Sequence, residues 1–114
     1  MKKITRVMKA LSDPNRLRIM KILKMKTMCV CELRYSLGLA QSSISKHLKI
    51  LEDADLVTSR KDGLWVNYSV ADHPENPCAE DMLGILDRWL DGDTGFEDIL
   101  DKVKTADRMI LTRN

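Results

Sequence analysis

Cys29-Val30-Cys31 sets two thiols one residue apart, and a sulfur pair so closely spaced suits chelation of a soft, thiophilic ion. Within an ideal helix positions i and i+2 point about 200° apart, so chelation there would unwind a turn. If the pair instead lies just outside a helix, the sulfurs already converge, and a switch must work through a third ligand. Cys78 is the candidate third ligand; the alternative is that it opens the buried stripe of its own helix, since free cysteine is among the most buried residue types. A helix N-terminus and nearby Lys24, Lys26 and Arg34 are expected to favour the Cys29 and Cys31 thiolates. Three cysteines with one close pair argue against a disulfide framework and for reduced thiols.

Other reactive chemistry has little material. There is no phosphate-cradling glycine loop and no convincing Ser/His/Asp set, so the chain reads as a non-enzyme. Met8, Met20, Met25 and Met28 read as core or surface residues at helical spacing rather than soft ligands, and Trp65 and Tyr68 as hairpin packing. The formal charge of +2 hides an asymmetry: residues 1–70 carry 14 Lys and Arg against 6 Asp and Glu, whereas residues 71–114 carry 5 against 11. The first part is a candidate polyanion binder.

The elements that position these groups follow from periodicity. Ile4, Val7, Met8 and Leu11 predict an amphipathic first helix with Lys2, Lys3, Arg6 and Lys9 in solvent. Asp13 then caps a second helix whose first position is Pro14, with Leu17, Met20 and Leu23 inward and Ile19 and Ile22 widening the stripe. After a break at Lys26-Thr27-Met28, Val30, Leu33 and Leu37 mark a short third helix closed by Gly38. A fourth, Gln41 to Asp55, turns Ile44, Leu48 and Leu51 inward and Ser42, Ser45, Lys46 and Lys49 outward. Short hydroxyls and lysines on one face let a helix approach a major groove closely, so the pair reads as a helix-turn-helix.

Alternation over Leu56–Arg60 and Leu64–Val70, with Lys61-Asp62-Gly63 as the turn, predicts a β-hairpin wing carrying Arg60 and Lys61 near flanking phosphate. Asn76-Pro77 opens a helix to about Leu90, with Cys78, Met82, Ile85, Leu86 and Trp89 on one side. Phe96, Ile99, Leu100 and Val103 predict a last, acidic helix before a frayed Thr112-Arg113-Asn114 tail, and apolar stripes so late in a small chain suit a dimer interface. The expected fold is mainly α with a β-hairpin wing, a dimeric winged helix-turn-helix. Residues 1–92 would form the DNA-binding and dimerisation domain, and residues 93–114 an acidic helix and tail of the same domain.

At these residues, over positions 5–90, the chain resembles the ArsR/SmtB family of winged-helix repressors, in its arsenic-responsive branch. Ala10-Leu11-Ser12-Asp13-Pro14-Asn15-Arg16-Leu17-Arg18-Ile19 resembles the opening signature, Gln41-Ser42-Ser43-Ile44-Ser45-Lys46-His47-Leu48 the recognition helix, and Gly63-Leu64-Trp65-Val66-Asn67-Tyr68 the wing. The resemblance implies a homodimer on a palindromic operator, released when metal binds. It implies Cys29 and Cys31 as ligands, and Gln41, Ser42, Ser43, Ser45 and Lys46 toward DNA, with His47 structural or phosphate-facing. Departures bear on the ion. Arg34 stands where arsenic-responsive members often have a third cysteine, no cysteine precedes Cys29 as in cadmium-responsive members, and His73 is the one histidine near the dimer helix. A four-ligand zinc or cadmium site is poorly supplied, and a trivalent inducer, arsenite or antimonite, fits the donors.

The expected function is a metalloid-responsive repressor of double-stranded operator DNA. Alternatives are a thiol-redox-responsive repressor of the same fold, or a thiol metal-binding module without DNA binding. With no apolar run long enough to cross a bilayer or act as a signal peptide, the chain is expected in the cytoplasm without a membrane partner.

Overall fold

The computed structural model describes residues 1–89 and 91–111, apart from the side chains of Thr94, Arg108 and Met109. The expected helix end at Leu90 and the Thr112–Asn114 tail lie outside the described residues. Helices α1 (Lys2–Leu11), α2 (Pro14–Met25), α3 (Val30–Leu37) and α4 (Gln41–Asp53) precede a hairpin of β1 (Val57–Asp62) and β2 (Trp65–Val70). Then come α5 (Pro77–Ile85), a 3₁₀ turn (Leu86–Arg88), α6 (Thr94–Thr105) and α7 (Arg108–Leu111). Among the described residues no helix is long and apolar enough to cross a membrane.

Local signals set the boundaries of the early helices. The Asp13 carboxylate accepts the Asn15 and Arg16 amides at 2.8 and 3.1 Å, with Pro14 at the first helical position, as an N-cap requires. Gly38 takes φ +70 and returns its amide to Arg34 at 2.8 Å, closing α3 in the left-handed geometry that glycine adopts without strain. Ile19, Met20 and Ile22 of α2, Leu33 of α3, and Ile44, Leu48 and Leu51 of α4 are fully buried together.

The first helix departs from its expected stripe. Val7, Ala10 and Leu11 are buried, whereas Ile4 and Met8 remain 48% and 47% exposed. The core reaches α1 along one narrow line, and the other apolar edge lies open beside α5. There Ala79 and Leu83 face inward, Cys78 and Met82 are half-buried, and Ile85 is exposed. The α-helical part of α5 stops at Ile85 rather than near Leu90. Lys21 Nζ binds the carbonyls of Leu86 and Asp87, so its ammonium draws the last carbonyls of this segment into a tightened turn.

In the hairpin the register pairs Val57 with Val70 through to Asp62 with Trp65. Lys61 and Asp62 are therefore strand residues, and the turn is Gly63-Leu64, not Lys61-Asp62-Gly63. Gly63 at φ +59 supplies the positive φ that a two-residue hairpin needs at its first central position. The Lys26-Thr27-Met28 break also holds more than a loop. Met28 forms an antiparallel bridge to Tyr68, with backbone bonds of 3.1 and 2.8 Å, so the residue before Cys29 is tied to the wing.

The late apolar stripe is used within the chain. Phe96 and Val103 of α6 are buried in the core, α6 packs on α3 and α2, and Tyr35 Oη lies 3.1 Å from Thr105 Oγ1. Lys26 Nζ donates to the Ala106 carbonyl at 2.9 Å, closing the end of α6. Phe96 and Val103 thus serve a contact between α6 and the cysteine-bearing helix of the same chain, while Ile99 and Leu100 stay half-buried.

Candidate metalloid site and nucleic-acid interface

Cys29 is the N-cap of α3, with extended φ −89 and ψ 173, and Cys31 is the second residue of the helix. Because only one of the two has helical backbone, the divergence of ideal i and i+2 positions does not apply. The sulfurs of these free cysteines converge, and the helix begins between them, so the arrangement lies between the two open from sequence: Cys29 is outside the helix and Cys31 within it. Cys29 occupies the place of the serine or threonine of a capping box, and the buried Glu32 returns its carboxylate to the Cys29 amide at 3.0 Å. Cysteine in a Ser-x-x-Glu frame was the signal available in sequence for this role of Glu32. Ser36 Oγ in turn donates to the Glu32 carbonyl at 2.9 Å.

The expectation of easily formed thiolates is overturned at Cys29. Burial, then the hydrogen bond shared with Cys31, together with the Glu32 carboxylate, push its pKa from 9.0 up to about 12, and the Glu32 amide opposes this only in part. The lysines invoked from sequence are engaged elsewhere. Lys24 pairs with Asp87 at 3.5 Å, and Lys26 is bound to the α6 terminus. Arg34 lies in the groove beside Cys31.

Cys78 sits at the start of α5, where its amide donates to Asn76 Oδ1 at 3.0 Å, and it lines a groove with Met1, Lys3 and Ile4. Among the described residues no three His, Cys, Asp or Glu side chains are grouped so as to hold a metal ion, so Cys78 does not join Cys29 and Cys31 within one chain.

On α4 the outward residues are those expected, with one shift. Gln41, Ser42, Ser45, Lys46 and Lys49 are exposed, while Ser43 is half-buried on the flank next to Ile44. Lys49 pairs with Asp53 at 3.1 Å, an exposed i, i+4 contact of small energy. Arg60 and Lys61 are exposed on β1. His47 is not part of this face. Its Nδ1 accepts from the Arg16 guanidinium at 3.1 Å, which places the ring hydrogen on Nε2. Arg16 also donates to the carbonyls of Ala10 at 2.7 Å and Lys9 at 3.3 Å, so one side chain ties the end of α1 to the middle of α4. Nothing in the periodicity singled out Arg16.

A tight-turned helix pair with a hydroxyl and lysine face, followed by a β-wing, defines a winged helix-turn-helix regulator. Residues 13–59 match the family model described as bacterial regulatory protein, arsR family. The chain is 39% identical over 93 residues to the arsenic resistance transcriptional regulator ArsR1 of Pseudomonas putida, covering 76% of this chain and 71% of that one. It is 36% identical over 95 residues to the arsenical resistance operon repressor of Bacillus subtilis, covering 82% and 90%. Among solved structures, HlyU from Vibrio cholerae superposes with a TM-score of 0.65 at 31% identity, covering 76% of this chain and 90% of that one. The chain belongs to the ArsR family of bacterial regulatory proteins, which are transcriptional regulators and not enzymes.

Proposed function

We propose that the protein is a cytoplasmic homodimeric repressor that binds operator DNA and is released by arsenite or antimonite bound to Cys29 and Cys31. The observation that carries this reading is the convergence of the two sulfurs at the N-terminus of α3, the helix packed against α4. Two arsenical resistance regulators among the relatives support the inducer class. The open apolar edge of α1 and α5, with Ile4, Met8 and Ile85 exposed, supports pairing with a second copy. Residues 1–92 would supply the DNA-binding and dimerisation surfaces, and residues 93–114 the acidic helix and tail of the same domain, of which α6 braces α3.

The DNA-facing set is Gln41, Ser42, Ser45, Lys46 and Lys49 on α4, with Ser43 at its flank and Arg60 and Lys61 on the wing. Hydroxyl groups and Gln41 reach base edges, and the cations meet phosphate. Cys78 would complete a third coordination position only if the partner subunit brings it near the pair.

Thiol chemistry favours a trivalent hydroxide. As(OH)₃ and two thiols give the dithiolate and two waters, so each proton leaves with a hydroxide and a high thiol pKa costs little. A divalent cation must instead expel the Cys29 proton into solvent. Thiol oxidation is the second reading, and the raised pKa opposes it at Cys29, because the thiolate is the reactive form.

Ligation bonds both sulfurs to one atom at about 2.3 Å and so fixes a pair that is otherwise free. That constraint acts at Cys29, between the wing-bound Met28 and α3, and so biases both DNA-reading elements. Fluorescence anisotropy of the reduced protein on a promoter fragment, at fixed salt, tests this reading. Stoichiometric arsenite should release the DNA; a complex that arsenite and antimonite leave intact would remove the metalloid assignment.

A further inference from the structure

We propose that the basic face of α1 is a second contact with the DNA backbone, where Lys2, Arg6 and Lys9 meet phosphates of the same duplex that α4 enters. This rests on the reading of α4 as the DNA-facing helix, and it extends the contact to an element outside the helix-turn-helix and the wing. Positions 2, 6 and 9 fall on one side of a helix, and all three side chains are exposed. Ile4 and Met8, at the edge proposed to pair with a second copy, lie about 150° round the helix from them, so the two uses do not compete.

The seam between α1 and α4 turns this face toward the recognition surface. Lys2, Thr5, Arg6 and Lys9 line one side of a groove of about 500 Å³, and Ile50 and Asp53 of α4 line the other. Asp53 lies one turn beyond Lys49 on the outward face of α4, and Ile50, 40% exposed, lies between that face and the flank of His47. The groove therefore opens on the same side as Ser42, Ser45, Lys46 and Lys49. Hydrogen bonds hold the two helices together along it. Arg16 ties the carbonyls of Lys9 and Ala10 to His47, and Arg6 Nη1 reaches the Asp53 carbonyl at 3.5 Å. The carboxylate of Asp53 is paired with Lys49 at 3.1 Å, and the neighbouring Glu52 accepts from Ser59 Oγ at 2.8 Å, so the excess charge along the seam is positive. Exposed cations gain little from surface ion pairs, but each one that meets a DNA phosphate releases condensed counterions, and the exposed Ile50 offers an apolar floor to the sugar beside it.

Anisotropy of the full reduced chain on a promoter fragment, over a range of salt, tests the contact. Lys2→Gln/Arg6→Gln/Lys9→Gln should reduce the slope of log affinity against log salt by about 2 to 3 and weaken binding at least about tenfold. The loss should be equal on operator and unrelated duplex, because phosphate contacts carry no sequence information. Arg88→Gln/Lys102→Gln/Lys104→Gln removes the same charge from exposed positions outside α1 and α4, and should change the slope by less than about 1. Glutamine keeps helix propensity, and the single variants Lys2→Gln and Lys9→Gln, each lowering the slope by about 1, keep the test readable if the triple variant loses helix content by circular dichroism. A slope that the α1 substitutions leave unchanged, or that the control set lowers as much, would overturn the α1 contact alone, provided that Lys46→Ala still weakens binding. If the wild type forms no salt-dependent complex, the contact and the DNA-binding reading fall together.

Discussion

The turn at Cys29–Glu32 and the outer face of α4 are two ends of one helix-turn-helix, built on opposite principles. The turn is buried, held by a carboxylate-to-amide bond and pinned through Met28 to the wing, and burial keeps its first thiol protonated. The α4 face is small, polar and exposed, with His47 turned aside onto Arg16. One end is shaped by what packs around it, and the other by what is left uncovered. A ligand at the first must therefore displace structure, whereas DNA at the second meets side chains already in place.

Separating the two ends gives the largest effects. Cys29→Ser and Cys31→Ser should each keep operator affinity and abolish release by arsenite, a loss of at least about a hundredfold in inducer sensitivity. Serine is itself a favoured N-cap, so Cys29→Ser should keep its fold. Circular dichroism and anisotropy check both points. Release by arsenite at wild-type levels in either variant would break the contrast.

Proton bookkeeping sharpens it next. With Cys29 raised above its ordinary 9.0, cadmium affinity should climb with pH between about 6 and 8, by up to about tenfold per unit for each proton expelled, while arsenite affinity stays nearly flat. Parallel pH slopes would contradict the trivalent reading. The same shift bears on stability. A thiol more protonated in the folded than the unfolded chain contributes fully below pH 9.0, and that contribution is lost as pH rises toward about 12. Alkaline melting curves of the wild type should fall more steeply over this window than those of Cys29→Ser.

At the exposed end, Ser45→Glu should weaken operator binding by about 10- to 100-fold and leave arsenite affinity unchanged, read by anisotropy and calorimetry. The smallest effect belongs to the wing. Arg60→Ala should lower affinity severalfold for all DNA sequences alike and reduce the salt slope by about 1. An unchanged slope would take Arg60 off the phosphate backbone.

Legibility in the sequence followed the same division. Asp13-Pro14, Gly38 and Asn76-Pro77 act within a few residues, so they marked boundaries that the fold keeps. The inward stripe of α4 was equally plain because Ile44, Leu48 and Leu51 are one period apart. What failed depends on contacts distant in sequence. The exposure of Ile4 and Met8, the tightening of the α5 end by Lys21 and the packing of Phe96 inside the chain are decided by neighbours far along the chain. At the site, the spacing of Cys29 and Cys31 marked the ligand pair. It could not show that the helix begins between them, nor that burial outweighs nearby cations at the first thiol.

Arg16 carries a consequence for the shape of the operator. Its guanidinium fastens α4 to the last carbonyls of α1, and the outer edge of α1 is part of the surface proposed to pair with a second copy. In that homodimer the two recognition helices are held at a span built into the protein. The DNA must match it with half-sites at one helical phase, so adding half a turn of spacer would put the second site on the wrong side of the duplex.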